Sequence, residues 1–271
     1  MKKLCILLVA VMLLASLAAC SADGKDVKSP DDFEGARIAV QDETTADISI
    51  QEMIDSGKEI NVSRYPQVIN CFDDLKAGRV DAVYVDSVVA AFYTTGSNEF
   101  ERVWISSENE PLGILLRKDS ELLRNAICAA VDMLYYNGKM AEIGRKHFGN
   151  DFNPARNVTS EPVIPDISGV TLREPGTLSV GCDIGYPPME YYDTDGTTPI
   201  GFDIDVGKEI AELLGLQHKV IDTAWDGIFA GVDRGDYDCI ISSVSITSAR
   251  EETWIFTKPY IENSLCIVVK K

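Results

Sequence analysis

The chain has 271 residues, 45% of them apolar, with 43 acidic against 25 basic side chains and a formal charge of −18. That length supplies two modest hydrophobic cores, and the charge excludes nucleic acid and anionic lipid head groups, which such a surface repels. Only two histidines, His147 and His218, occur, far apart, so a metal centre lacks ligands.

In chain order, "MKKLCILLVAVMLLASLAACSADGK" opens with two lysines, an apolar stretch from Leu4 to Ala19 and small residues ending at Cys20. This is the layout of a secretory signal over 1–19. "LAAC" resembles the lipobox of bacterial lipoproteins, which makes Cys20 the lipidated first residue of the mature chain. Simple cleavage and a retained anchor are the alternatives, the latter short for a bilayer span of about 20 residues. Removing Lys2 and Lys3 takes the charge from −18 to −20, since residues 1–19 hold no Asp or Glu. "SADGKDVKSPDD" (21–32) reads as a tether behind the lipid.

Strand-like runs then alternate with helix-like ones, as in parallel sheets flanked by helices. Strands are expected at "GARIAV" (35–40), "VDAVYV" (80–85) and "TLSVGC". A helix is expected over 120–138, between Ser120 as N-cap and Gly138 as its stop, and another over 205–215. The stretch 150–170 has three prolines and reads as a connector. Cys71, Cys128, Cys182, Cys239 and Cys266 are widely spaced, form no C-x-x-C pair and read as buried hydrophobes.

Two segments match without a gap. "FDDLKAGRVDAVYVD" (72–86) lies over "FAGVDRGDYDCIISS" (229–243), pairing Gly78 with Gly235 and Asp81 with Asp238. Each reads as a helix ended by glycine, a turn and a buried strand, which argues for two similar lobes. The second strand runs on through Ser242, Ser243, Ser245 and Thr247 to Arg250. Hydroxyls and a guanidinium fork suit a carboxylate or phosphate. Open α/β sheets bind at the carboxyl ends of their strands, so Asp86 faces this cluster across a cleft and the pair fits a zwitterion.

At this point "VGCDIGYPPMEYYDTDGTTPIGFDIDVGKEIAELLGL", "TAWDGIFAGVDRGDYDCIISSVSITSAREE" and "IFTKPYIENSLCIVVKK" resemble the first lobe of bacterial polar amino-acid-binding proteins. These are the solute receptors of ABC importers. "DFEGARIAVQDETTADI", "DLKAGRVDAVYVDSVVA" and "NGKMAEIGRKHFG" resemble the second lobe and closing helices. The resemblance implies an α/β, two-lobe periplasmic-binding-protein fold of type II with the ligand cleft between lobes, in circularly permuted order. It divides the chain into lobes at 31–110 and 111–271, with one covalent crossover near Glu110–Leu115 and residues 265–271 beside 28–36.

The resemblance also implies roles. Arg250 holds a ligand α-carboxylate with Ser245 and the Thr45 amide, in a site that includes Ser242 and Thr44. Asp86 takes the α-ammonium with Ser243. Tyr186 and Trp225 sandwich the aliphatic stem, and Asp183, Glu43 and Gln41 touch or flank the side-chain pocket. Asp203 and Asp205 read instead as helix-start acids. The implied protein is a non-enzymatic, extracytoplasmic lipoprotein that passes a basic or neutral polar amino acid to permease and ATPase subunits. It needs no cofactor and meets the membrane only through its lipid. The alternatives are a cyclohexadienyl-dehydratase-like enzyme, with Glu43 or Asp183 as acid or base, and a ligand sensor.

Overall fold

The computed structural model describes residues 24–149 and 156–271. The expected signal segment, Cys20 and the first residues of the connector lie outside the described residues.

The first lobe comprises β1 (Arg37–Gln41), α1 (Thr45–Asp55), β2 (Asn61–Tyr65), α2 (Val68–Lys76), β3 (Ala82–Asp86), α3 (Ser87–Thr94) and β4 (Phe100–Ile105). Helices pack on this sheet, so β3 is buried along its whole length, as its apolar run requires. Val68, Cys71, Phe72 and Leu75 form one buried stripe of α2, at the three- and four-residue spacing that lays a helix on a sheet.

The second lobe begins with β5 (Leu115–Arg117), α4 (Glu121–Tyr136) and α5 (Lys139–Phe148). After the connector come β6 (Thr177–Cys182), β7 (Tyr191–Tyr192), β8 (Pro199–Ile200), α6 (Phe202–Leu213) and β9 (Gln217–Asp222). It closes with α7 (Trp225–Arg234), β10 (Cys239–Ile240), α8 (Ser248–Thr253) and β11 (Trp254–Phe256). Ser120 stands at the N-cap of α4, but its hydroxyl donates to Asp119 rather than accepting from the helix. Residues 156–170 form neither helix nor strand, yet Ile164, Ile167 and Val170 pack on the main core.

The internal match has a structural cause. Gly78 and Gly235 both take the left-handed turn, at φ 71° and 77°. Asp81 and Asp238 then tie their own strands to the parallel neighbours. Asp81 accepts from the Arg37 amide at 2.9 Å, and Asp238 accepts from the Ser179 amide at 2.9 Å. Each lobe uses the same glycine–aspartate device to set register.

The last strand, β12 (Leu265–Lys270), corrects the expected division. It pairs antiparallel with β3 and β4, giving a first sheet of order β2-β1-β3-β12-β4 and a second of order β11-β5-β10-β6-β9. Residues 265–271 therefore belong with 24–110 rather than with 111–263. They lie beside 82–86 and 100–105 rather than 28–36, sharing with Phe33 and Ala36 only a core cluster. The run "LCIVV" is apolar throughout because it is an inner strand, between β3 and β4, of a five-stranded sheet.

Two segments consequently cross between lobes, not one. Residues 106–112 and 261–265 run antiparallel, with the Glu110 amide donating to the Asn263 carbonyl at 2.8 Å and the Leu112 amide to Ile261 at 3.0 Å. A single protease cut engineered between Ser107 and Pro111 should therefore leave one particle in ligand-free size exclusion. Separation of the lobes after that cut would show that the second crossing does not hold them.

Candidate ligand-binding site between the lobes

A narrow cleft, about 320 Å³ of empty space with its solvent-open part included, lies between the two sheets. Gln41, Thr44 and Thr45 reach it from the end of β1 and the start of α1, and Asp86 from the end of β3. Asp183 and Tyr186 follow β6, Trp225 opens α7, Ser242, Ser243 and Ser245 follow β10, and Arg250 lies on α8. Of the twelve residues the sequence singled out for the site, all but Glu43 line this one space, most of them just beyond the carboxyl ends of parallel strands.

Arg250 is held by stacking more than by hydrogen bonding. Its guanidinium lies over the rings of Trp225 and Phe229, at 5.6 and 5.1 Å to the centroids. Nη1 donates to the Ser245 carbonyl at 3.0 Å. Thr247 caps α8 by accepting the Arg250 amide, which fixes where the side chain begins. Burial lowers the Arg250 pKa, and the Glu110 and Asp86 carboxylates oppose that shift. Among the described residues no acid lies close enough to Arg250 to form an ion pair.

Asp86 sits opposite, from the other lobe. Its Oδ2 accepts the Tyr186 hydroxyl at 2.8 Å and its Oδ1 accepts Nδ2 of Asn263 at 2.8 Å. Burial, then the nearby Glu110 carboxylate, pushes its carboxyl up to about 7. Both Glu110 oxygens are themselves buried and without a hydrogen-bond donor.

Asp183 makes a second acidic position. Gln41 Nε2 donates to it across the cleft at 2.8 Å. Burial, reinforced by Asp222 and Asp226, raises its carboxyl to about 6 against the opposing Gln41 hydrogen bond. Three contacts close the lobes on each other here: Gln41 to Asp183, Tyr186 to Asp86, and Trp225 Nε1 to the Glu43 carbonyl at 3.2 Å.

Some expectations change. Glu43 contributes only its backbone: its side chain is exposed and φ is 58°, a left-handed turn that aims its carbonyl at Trp225. The Ser242 hydroxyl is already engaged, accepting the Asp183 amide at 3.0 Å and donating to Glu190 Oε1 at 2.7 Å. Asp203 does stand in the first turn of α6, but it is buried and accepts the Ser243 amide and the Tyr260 hydroxyl. Asp205 instead points outward to Lys146 and His147, which lower its pKa against the cost of burial. Sequence reasoning missed Glu190, which also lines the cavity, and Asn263. The only signal for Glu190 was a charged residue inside the run "PPMEYY".

Comparison with known proteins bears on the second lobe and its exit strand. The model of bacterial extracellular solute-binding proteins, family 3, matches residues 178–271. The L-cystine-binding protein TcyJ of Escherichia coli (strain K12) is 33% identical over 100 residues, 37% of this chain and 37% of that one. The L-cystine-binding protein TcyA of Bacillus subtilis (strain 168) is 33% identical over 101 residues, again 37% of each. The ABC transporter arginine-binding protein 1 of Escherichia coli (strain K12) is 31% identical over 94 residues, 35% of this chain and 38% of that one. The chain thus spans little more than a third of these relatives' length. The matched residues carry Asp183, Tyr186, Trp225, the serine strand and Arg250. Over residues 178–271 the chain is similar to the bacterial extracellular solute-binding proteins, family 3.

Proposed function

We propose that the protein captures an amino acid with a basic or neutral polar side chain between its lobes, without transforming it, and delivers it to the permease and ATPase of an ABC importer. One observation carries this reading. Arg250 and Asp86 stand on different lobes around one cavity, so a single zwitterion bridges both and favours closure. Ser245 and the backbone amide of Thr45 supply donors for its carboxylate, and Ser243 joins Asp86 at the ammonium. Hydrogen bonds to charged groups contribute about 1.5–3 kcal/mol each, enough for micromolar binding, near −8 kcal/mol, after ordering costs.

Side-chain preference follows from charge. Asp183, with Asp222 and Asp226 behind it, meets no lysine or arginine in an ion pair among the described residues. Arginine, lysine and glutamine, in that order, are the expected ligands, and aspartate and glutamate are rejected by repulsion. A thermal-shift series over the twenty amino acids tests this, with the largest stabilisation expected from arginine. Tight glutamate binding overturns the pocket assignment. Turnover of a cyclohexadienyl acid in the same assay would instead make the protein an enzyme.

Two further parts of the reading are the anchor and the chain order. Segments resembling the second lobe and closing helices precede the family-matched 178–271, an order that a circular permutation accounts for. Small residues run directly into Cys20, so the mature chain is proposed to begin there, lipidated, outside the cytoplasm. Cys20→Ala should move the protein from the detergent phase to the soluble fraction. Membrane association that survives Cys20→Ala would rule the lipid out.

A further inference from the structure

Behind the serine strand lies a pair of acids that ligand contact does not explain. Glu190 and Asp203 are each 1% exposed. Gly201 brings them together. Its φ is 137°, and a Cβ there would lie 2.1 Å from the Met189 carbonyl oxygen. The amides of Phe202 and Asp203 donate to the carbonyls of Pro188 and Met189, both at 2.9 Å. The turn carrying Glu190 and the start of α6 are therefore one unit.

Each acid has one satisfied oxygen and one orphan. Glu190 Oε1 accepts from Ser242 Oγ at 2.7 Å. Asp203 Oδ2 accepts the Ser243 amide at 2.8 Å and the Tyr260 hydroxyl at 2.9 Å. Glu190 Oε2 and Asp203 Oδ1 are buried without any donor among the described residues. The two side chains lie within hydrogen-bonding reach of each other. Two ionised carboxylates in contact, away from water, repel strongly, and one proton between them removes both the repulsion and the two orphans. Asp203 has two donors on its other oxygen against one for Glu190, so the anion sits on Asp203 and the proton on Glu190.

We propose that Glu190 donates a single retained proton from Oε2 to Asp203 Oδ1, and that this bridged pair positions Ser242 and Ser243 for ligand. The positioning half rests on the amino-acid-binding reading; the proton itself does not. The sequence Asp183 amide, Ser242 hydroxyl, Glu190, Asp203, Ser243 amide is then an unbroken chain of hydrogen bonds behind the site.

The surroundings offer nothing to replace the proton. Cys182 on β6, Asp183, Tyr186 and Tyr260 surround the pair, and none is a cation. Further along α6, Asp205 turns to Lys146 and His147 of α5, and Lys208 acts on His218 of β9, which packs against Gly207. No Lys or Arg forms an ion pair with Glu190 or Asp203 among the described residues. Burial first, and Asp203 second, hold the Glu190 carboxyl well above its ordinary range.

Infrared difference spectroscopy on the ligand-free full chain tests the proton directly. At pH 8 the wild type should show the carbonyl band of a neutral carboxylic acid, and Glu190→Gln should lack it. No such band, or one that persists in Glu190→Gln, overturns the proposal whatever the protein binds. Calorimetry with L-arginine tests the positioning. Glu190→Ala should weaken binding by roughly 10- to 100-fold, the cost of stranding buried partners, and Glu190→Gln should recover most of it because its amide donates as the acid did. Equal losses in both variants overturn the positioning role. Failure of the wild type to bind arginine while the band is present refutes the ligand assignment and leaves the proton in place.

Discussion

Arg250→Ala should weaken amino-acid binding by about 2–5 kcal/mol, the typical cost of truncating one partner of a buried charge pair. In affinity that is roughly 30-fold to several thousand-fold. The α-carboxylate loses its fork, and among the described residues no other cation lines the cavity to take its place. Folding should survive, because Arg250 contributes one hydrogen bond to the Ser245 carbonyl and otherwise rests on two rings. Arg250→Lys keeps the charge but loses the two-pronged geometry, so it should recover only part of the affinity. Calorimetry with L-arginine measures all three forms. Wild-type affinity in Arg250→Ala would remove this residue from the site.

The second large effect is a pH dependence centred on Asp86. Folding raises its pKa from 3.8 to about 7. Its stabilising contribution is therefore complete below pH 3.8 and is lost as pH rises through about 7. An ammonium ligand needs the ionised form, so binding works against that proton. Affinity should rise by roughly tenfold per pH unit from pH 5 towards 7 and then level off. Asp183, raised to about 6, adds a second proton for a cationic side chain only. Arginine should thus show the steeper profile below pH 6 and glutamine the shallower one. Asp86→Asn should flatten the glutamine profile and weaken binding at pH 8 by about 2–5 kcal/mol. A wild-type profile flat from pH 5 to 8 would mean that Asp86 is already ionised, or is not the ammonium site.

The readable part of this molecule was local. The repeat at 72–86 and 229–243 showed in the sequence because a left-handed glycine and a register-setting aspartate are fixed by their own backbone neighbourhoods. The lining of the cavity was legible for a related reason: polar residues at the ends of apolar strands have only one place to point. Sheet membership was not local. "LCIVV" has the same apolar pattern in either sheet, and only its pairing with Ala82–Asp86 and Phe100–Ile105 decides which. Asp203 misled because a helix-start acid and a buried acceptor look identical in "GFDID". Its partner Glu190 comes from a separate turn, and nothing in the sequence announces that the two meet.

The paired crossings between the lobes have a mechanical consequence. Two strands lying side by side form a ribbon, and a ribbon bends easily across its face but resists shear and torsion while its hydrogen bonds hold. Opening is then confined to one angular coordinate. Along that coordinate the bonds from Gln41 to Asp183, Tyr186 to Asp86 and Trp225 to Glu43 would break and re-form together. Hinge closure elsewhere needs only a few residues to absorb the change. Here those residues bracket the Glu110–Asn263 rung, and Asn263 also donates to Asp86. The axle of the motion and the ammonium site therefore share one residue, Asn263, whose backbone carbonyl carries the rung and whose side chain holds Asp86.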